Sequence, residues 1–127
     1  MLAVVDYTVA DEKKVVAFIK RIQADAVCEP EILARAVLIK ADDDIVGMVS
    51  YVSFNSMGVI RYFLYDARVA GVDVIVALFA KLYQNAHVAG IKQLAVQTAN
   101  QTITALFTLL GFTTLSDGAM VINLEDK

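Results

Sequence analysis

The sequence is poor in the residues that build disulfides, metal centres and basic surfaces. Its 127 residues include one cysteine, Cys28, and one histidine, His87, so no ligand spacing typical of zinc is present. A single cysteine excludes a disulfide within the chain and fits a reducing cytosol, so we expect a cytoplasmic protein. The net charge is −3, without any cluster of lysine and arginine. This argues against a nucleic-acid partner, because that function needs a basic stripe.

Long hydrophobic runs are also missing. A membrane-spanning helix needs roughly 18 apolar residues in a row. The longest candidate, from Val69 to Ala80, is interrupted by Asp73 and followed by Lys81. The start of the chain lacks the basic region and the cleavage pattern of a signal peptide. We therefore expect no membrane partner.

Apolar side chains are what the chain has in quantity. Hydrophobic residues make up 58% of the sequence. A chain of 127 residues suits one domain, residues 1–127, with an adequate core. The surplus of apolar residues needs burial elsewhere, and an intersubunit surface would provide it.

The pattern of residues predicts an α+β fold. Strands are expected where β-branched and aromatic residues cluster between turn residues, at residues 1–7, 36–41, 45–54, 58–64, 93–98, 113–115 and 119–124. Helices are expected where apolar residues recur at helical spacing, after the capping-box pattern Thr8–Asp11 and at residues 30–35, 72–89 and 100–111. The sum is a mixed, mostly antiparallel sheet of six to seven strands, flanked by about four helices.

Several residues have both a chemical and a structural interpretation. The run Asp42–Asp44 lacks the alternating spacing of a calcium loop, so a hairpin turn is favoured over a metal site. His87 could act as a general base, but no carboxylate stands at a helical spacing to orient it. Cys28 could act as a nucleophile, although nothing nearby would stabilise a thiolate. Gly47, inside a strand, indicates either a bulge or a close backbone approach.

The stretch from Gly58 to Phe112 organises the chain. It reads as strand, loop, long helix, strand and second helix, and the loop at 65–71 opens onto the start of the long helix. The N-terminus of a helix offers unpaired backbone N–H groups and a partial positive charge, which suit an anion. The sequence therefore places a candidate site at this loop.

Two motifs in this stretch resemble motifs of the GNAT acyl-CoA N-acyltransferases. Arg68-Val-Ala-Gly-Val-Asp73 stands where that family has Arg/Gln-x-x-Gly-x-Gly/Ala, the loop that cradles the pyrophosphate of coenzyme A. Asn100-Gln-Thr-Ile-Thr-Ala-Leu-Phe-Thr-Leu-Leu-Gly-Phe112 is similar to its Asn-x-x-Ala-x-x-x-Tyr-x-x-x-Gly-Phe segment. Asp44–Tyr51 is similar to the family's third strand, and the order of elements agrees over nearly the whole chain.

The resemblance implies a GNAT-like fold and a site for acetyl-CoA. In such a site Asn100 would bond the pantetheine arm, and Phe107 would take the place of a tyrosine beside the cofactor. The region between the first two helices would line the side of the acceptor. The pyrophosphate would be held by the loop and the first helical turn, at Arg68, Val69, Ala70, Gly71, Val72, Asp73 and Val74.

The chain departs from the family's pattern at the positions that carry chemistry. Phe107 has no proton to give to a leaving thiolate, whereas tyrosine has one. Asp73 facing a pyrophosphate would be repelled by about 4 kcal/mol at contact distance and an effective dielectric of 20. That exceeds the roughly 0.3–1 kcal/mol that an Asp gains from the helix dipole. The strand before the loop has no carboxylate, which leaves Asp66 as a weak candidate for the base and the catalytic residues unknown.

Two functions follow from the residues and the resemblance. The first is an N-acetyltransferase that moves an acetyl group from acetyl-CoA to an amine of a small molecule or peptide. The second is a non-catalytic GNAT-like module that binds a partner or dimerises, with weak or no binding of CoA. The first needs an open cleft beside the loop, and the second would have that cleft filled.

We expect the protein to form a homodimer, or to bury a partner, because its apolar content exceeds what a small core absorbs. Light scattering at high protein concentration should give twice the mass of the 13.8 kDa chain. A monomer at high concentration, with no partner recovered, would contradict this expectation.

Overall fold

The predicted α+β architecture is confirmed in a computed structural model that describes residues 1–125. Over that range the seven strands are β1 (Leu2–Asp6), β2 (Val37–Ala41), β3 (Asp44–Phe54), β4 (Met57–Tyr65), β5 (Gln93–Gln97), β6 (Thr113–Ser116) and β7 (Ala119–Asn123). The four α-helices are α1 (Glu12–Ile22), α2 (Pro30–Ala34), α3 (Asp73–Val88) and α4 (Gln101–Leu109). A 3-10 turn at Val9–Asp11 precedes α1. The last two residues of the predicted domain lie outside the described range.

The seven strands form one mixed sheet in the order β1-β2-β3-β4-β5-β7-β6. Neighbouring strands are antiparallel except β4 and β5, which are joined by α3 and run parallel. Parallel neighbours need a crossover of a dozen residues or more, which α3 supplies. The predicted order of strand, loop, long helix and strand is confirmed, and its two strands are parallel neighbours.

Helices cover both faces of the sheet. Alternate residues of β2 point to opposite sides: Val37 and Ile39 belong to the core under α3 and α4, whereas Leu38 belongs to the core under α1 and α2. This follows from the two-residue period of a strand. The first core is centred on Phe79 of α3, and the second on Phe18 of α1.

Gly47 lies beside a bulge and is approached closely by a side chain, so neither predicted interpretation holds in its original form. The ladder between β2 and β3 pairs Ile39 with Gly47 and Lys40 with Ile45, so Val46 is an extra residue in β3. A side chain at Gly47 would have its Cβ only 2.8 Å from the terminal methyl of Ile39. The bulge therefore lies at the neighbouring residue, and the close approach at Gly47 itself is made by a side chain.

Local signals set most of the element boundaries. Asp42, with φ of 55°, makes the predicted hairpin turn between β2 and β3. Gly90, with φ of 88°, follows the end of α3 as predicted, because glycine tolerates the left-handed conformation there. Helix α1 ends at Ile22, one turn before its apolar spacing suggests, and Ala26 packs against the core from the following loop.

Within residues 1–125, no helix has both the length and the apolar character needed to cross a bilayer. Over the same range, no three His, Cys, Asp or Glu side chains come together as a metal site would require.

Asp11 joins the start of α1 to the sheet. Its carboxylate accepts a hydrogen bond from Lys40 Nζ at 2.7 Å and from the backbone N–H and the hydroxyl of Thr8, each at 3.0 Å. Its side chain is only 10% exposed. The bond from Lys40 is the main reason why the pKa of Asp11 lies below its usual value of 3.8.

We expect Asp11→Asn to lower the free energy of unfolding by about 1–2 kcal/mol at pH 7, because a mostly shielded Lys40 loses its charged partner. A depressed pKa stabilises the fold above the unfolded value of 3.8 and stops doing so as the pH falls through the folded value. Urea denaturation should therefore show a difference in unfolding free energy between wild type and Asp11→Asn at pH 5 and 7, and the loss of that difference near pH 2. Asp43→Asn, at an exposed turn, is the control and should change little. A difference between wild type and Asp11→Asn that stays constant with pH would show that the Asp11–Lys40 ion pair does not stabilise the fold.

Candidate functional site

Strands β4 and β5 are paired only at one end. Their parallel ladder joins Met57, Gly58 and Val59 of β4 to Gln93, Leu94 and Ala95 of β5. Beyond those pairs, β4 continues along β3 to Tyr65, and β5 continues along β7 to Gln97. The sheet therefore opens between the two strands, and the edge of β4 that faces the opening is released from the ladder.

A bulge in β4 lies just beyond the last pair. Ser50 of β3 is opposite Tyr62, and Tyr51 is opposite Ile60, so Arg61 is an extra residue with no partner position. Bulges bend a strand and increase its local twist. Because this one follows Val59 by two residues, it accounts for the direction in which β4 leaves β5.

The loop after β4 ends at an uncapped helix. Gly71 has φ of 85°, and no atom lies within 4 Å of the position that a Cβ would occupy. No side chain caps α3 at Val72, and the first helical bond runs from Val76 N–H to Val72 O at 2.8 Å. The N–H groups of residues 73–75 come before that bond and have no partner within the helix. The open space at Gly71 leaves these donors accessible to a ligand.

An open cleft of about 450 Å³ runs from this loop along α4. Its walls are mostly apolar and contain no carboxylate, amine or imidazole, but they include the phenol of Tyr65 and the hydroxyl of Thr102. They are formed by Tyr65, Val69, Gly71, Val72, Ile75, Thr102, Ile103, Ala105, Leu106 and Leu109. Of the loop residues that the sequence assigns to CoA, Val69, Gly71 and Val72 line the cleft. Asp73 is exposed and lies outside its walls.

The charged groups of the loop are bound to one another. The Arg68 guanidinium donates to Asp66 Oδ2 at 2.9 Å and to Asp44 Oδ2 at 3.2 Å. Arg21 of α1 also donates to Asp66 Oδ2 at 2.9 Å. Hydrogen bonds from Arg68 are the main cause of a pKa of Asp66 below its usual range. Asp66 is therefore a weaker base than an ordinary carboxylate, and Arg68 is engaged by carboxylates.

Asn100 and Phe107 have structural roles in α4. The Asn100 side chain caps the helix by accepting from Ile103 N–H at 3.0 Å. Phe107 is 1% exposed, and its ring packs edge to face against Phe63, Phe79 and Phe112, with centroids 5.1–5.7 Å away. The ring belongs to the core beneath the cleft and is not part of the cleft wall.

The opposite face of β4 contacts the loop between α1 and α2. The Tyr62 hydroxyl donates to Val27 O at 2.9 Å. Burial raises the pKa of Tyr62, so the hydroxyl keeps its proton and this bond at ordinary pH. The contact places residues 23–29 beside β4 immediately after the bulge. This is the region to which the resemblance assigns the acceptor side.

Sequence reasoning did not identify Arg21 and Asp44 as partners of the loop. They come from α1 and from the start of β3, and the contacts join residues 45 and 24 positions apart. Neither has a local spacing that points to Arg68 or Asp66. Only the folded sheet brings these elements together at the end of β4.

Known structures with the same fold are numerous. N-acetylglutamate synthase from Neisseria gonorrhoeae, complexed with coenzyme A and N-acetyl-glutamate, matches with a TM-score of 0.77 at 15% identity. The match covers 98% of this chain and 35% of the synthase, so the chain spans about a third of that protein. No protein-family model and no curated protein sequence matches the chain.

Two further matches cover nearly the whole of both chains. An acetyltransferase of the GNAT family from Streptococcus pneumoniae has a TM-score of 0.77 at 16% identity, over 97% of this chain and 99% of that one. The ribosomal-protein-S18-alanine N-acetyltransferase from Escherichia coli has a TM-score of 0.71 at 13% identity, over 98% and 94%. These likenesses establish that the chain has the GNAT fold, as the sequence resemblance predicts.

We expect Phe107→Leu to destabilise the protein by roughly 1–3 kcal/mol, because it removes three aromatic contacts and leaves a small cavity. Leu109→Ala, on the exposed side of the same helix, should change stability by less than about 0.5 kcal/mol. Thermal unfolding of both variants measures the difference. Equal and small effects would show that Phe107 is not a core residue.

Proposed function

We propose that the protein is an N-acyltransferase that moves an acyl group, most simply acetyl, from a CoA thioester to an amine of a small molecule or peptide. One observation carries this proposal: β4 and β5 diverge beyond Val59 and Ala95. A cleft lined by Tyr65, at the end of β4, extends to the uncapped start of α3. A thioester on a long flexible arm with an anionic end fits a slot of that form. The CoA-bound synthase with the same fold supports the choice of donor.

The residues of the cleft fit CoA in outline. Gly71 lets a ligand approach the backbone closely, and the donors at the start of α3 suit a pyrophosphate. The amides at Ala70, Val72 and Val74 would share that role, whereas the Val69 N–H already donates to Asp66 O. Asn100 accepts through Oδ1 from its own helix, so its amide NH₂ is the part available to the pantetheine arm. Apolar walls from Ile75 and Leu106 suit the methylene groups of the arm.

Bound CoA thioester would supply an activated acyl group with a fair leaving group. The protein's part is to hold that group at the bulge of β4, where backbone N–H groups released from β5 can stabilise a developing oxyanion. The acceptor would approach from the face of residues 23–29. The walls of the cleft have no base, and Asp66 is weak, so the amine would lose its proton to water.

A second candidate is a non-catalytic module with the same fold. Three observations favour it: Arg68 is paired with carboxylates, Phe107 has no proton to donate, and the cleft walls contain no carboxylate, amine or imidazole. Such a module would bind CoA weakly or not at all and would use its apolar surface for a partner. Calorimetric titration with acetyl-CoA and with CoA separates the two candidates, because the first requires binding of the acyl donor and the second predicts weak binding or none.

Asp73 decides how tightly CoA binds. It lies in the first turn of α3, close to the donors, without lining the cleft. We expect Asp73→Gly to tighten CoA binding by roughly 3- to 10-fold, since it removes a like charge that solvent and salt screen only in part. The loss of helix propensity costs about 1 kcal/mol or less, so folding should survive.

Asp73→Asn is the matched control for the electrostatic origin of this effect. It removes the charge and keeps the helix, so it should also tighten binding, and the gain should shrink at high salt. Unchanged CoA affinity in both variants, with a lower melting temperature for Asp73→Gly, would mean that Asp73 only supports the helix.

A further inference from the structure

Asp66 is the most heavily bonded side chain near the cleft. Its Oδ1 accepts from the backbone N–H of Arg68 at 2.9 Å and from Arg68 Nε at 3.4 Å. Its Oδ2 accepts from Arg68 Nη2 and from Arg21 Nη2, each at 2.9 Å. The side chain is 20% exposed, so water screens these charge-assisted bonds less than it screens surface pairs.

These bonds join three parts of the molecule. Asp66 N–H donates to Val46 O at 2.9 Å, which fixes the residue near the start of β3. Val69 N–H donates to Asp66 O at 3.0 Å, which closes the first turn of the loop. Arg21 comes from α1 on the other face of the sheet, and its guanidinium also lies over the Phe18 ring at 5.3 Å. The loop is therefore tied to a helix that takes no part in the cleft.

The outer contact with Asp44 is weaker. Asp44 is 70% exposed and meets Arg68 Nη1 at 3.2 Å. Exposed pairs of this kind contribute little to stability. The order of importance in holding the loop is therefore Asp66 first, Arg21 second and Asp44 last.

We propose that Asp66 is a positioning residue that holds the loop of residues 66–72 against α1 and so sets the donor groups at the start of α3. The bonds of Asp66 with Arg68 and Arg21 form a clamp on the loop. Arg68 is part of this clamp and does not contact the pyrophosphate. The effect on CoA rests on the proposed function, whereas the clamp itself does not.

The first experiment needs no ligand. Amide exchange at Arg68 and Val69, measured by NMR, should be roughly 3- to 10-fold faster in Asp66→Asn, because the bonds to a charged carboxylate are weakened. Arg21→Gln should accelerate exchange at Arg68 and Val69 by a smaller factor. Arg21→Lys keeps the positive charge, so its exchange rates should lie between those of Arg21→Gln and wild type. Asp44→Asn is the control and should stay within about twofold of wild type. The interior of α3 should exchange as in wild type in every variant.

Unchanged exchange at Arg68 and Val69 in Asp66→Asn would overturn the clamp, and so would equal acceleration throughout the domain. If Asp66→Asn does not fold, the pair Arg21→Gln and Arg21→Lys decides. The proposal is overturned if exchange at Arg68 and Val69 is equally fast in both variants, or if Arg21→Gln does not accelerate it at all.

The second experiment uses CoA and acetyl-pantetheine, which lacks the pyrophosphate. With the clamp, Asp66→Asn should weaken CoA binding roughly 3- to 10-fold and leave acetyl-pantetheine binding unchanged. If Arg68 were instead a direct ligand of the pyrophosphate, Asp66→Asn would free its guanidinium, remove a negative charge and tighten CoA binding. Tighter CoA binding, or equal loss for both ligands, overturns the positioning role.

The two proposals fail in different ways. If the wild-type protein binds neither ligand, the proposed transferase is wrong, and the exchange experiment still decides whether the clamp exists. If CoA binds and the exchange rates do not change, the proposed CoA site is supported and the clamp is wrong.

Discussion

The short parallel ladder between β4 and β5 is the constraint on which the rest of the site depends. β4 pairs with β3 along its whole length, but it meets β5 at three residues only, Met57–Val59. The bulge at Arg61 turns β4 away, and β5 follows β7 instead. Helix α3 must then cross from the far end of β4 back to β5, so its N-terminus stands at the wide end of the opening. The separation of β4 from β5 after Val59 thus places the cleft, the loop and the N-terminus of α3 at the same end of the sheet.

The apolar cleft and the charged side chains of the loop lie on opposite faces of the sheet. The cleft face is apolar, and its polar contribution comes from backbone groups at the start of α3. The charged side chains gather on the α1 side, where Arg21, Asp66 and Arg68 satisfy one another. This separation spares the cleft the desolvation of fixed charges. It also means that charges on the α1 side affect the cleft by fixing the loop and not by touching a ligand.

The sequence was sufficient for what local patterns determine. Apolar spacing gave the strands and α3, and Asn100 caps α4 as its position before an apolar run suggests. The order of strand, loop, helix and strand indicated a crossover, and the structure shows that this crossover joins the parallel neighbours β4 and β5. Arg68 could not be understood in this way, because its partners lie far away in the chain. Phe107 shows the same limit: the motif aligns it with a cofactor contact, whereas its ring packs against Phe63 and Phe79 of other elements as well as against Phe112.

A largely apolar cleft without carboxylate, amine or imidazole groups limits how such a protein could accelerate acyl transfer. General acid–base help is typically worth a factor of roughly 10²–10⁴, and the phenol of Tyr65 is the ionisable side chain that the walls of this cleft offer for it. Holding two reactants in a reactive geometry can contribute about 7–11 kcal/mol on its own. Three features of this protein would act by positioning the reactants: the Arg61 bulge, the uncapped start of α3 and the loop that Asp66 fixes. Catalysis here would therefore depend on the rigidity of that loop more than on any single proton donor.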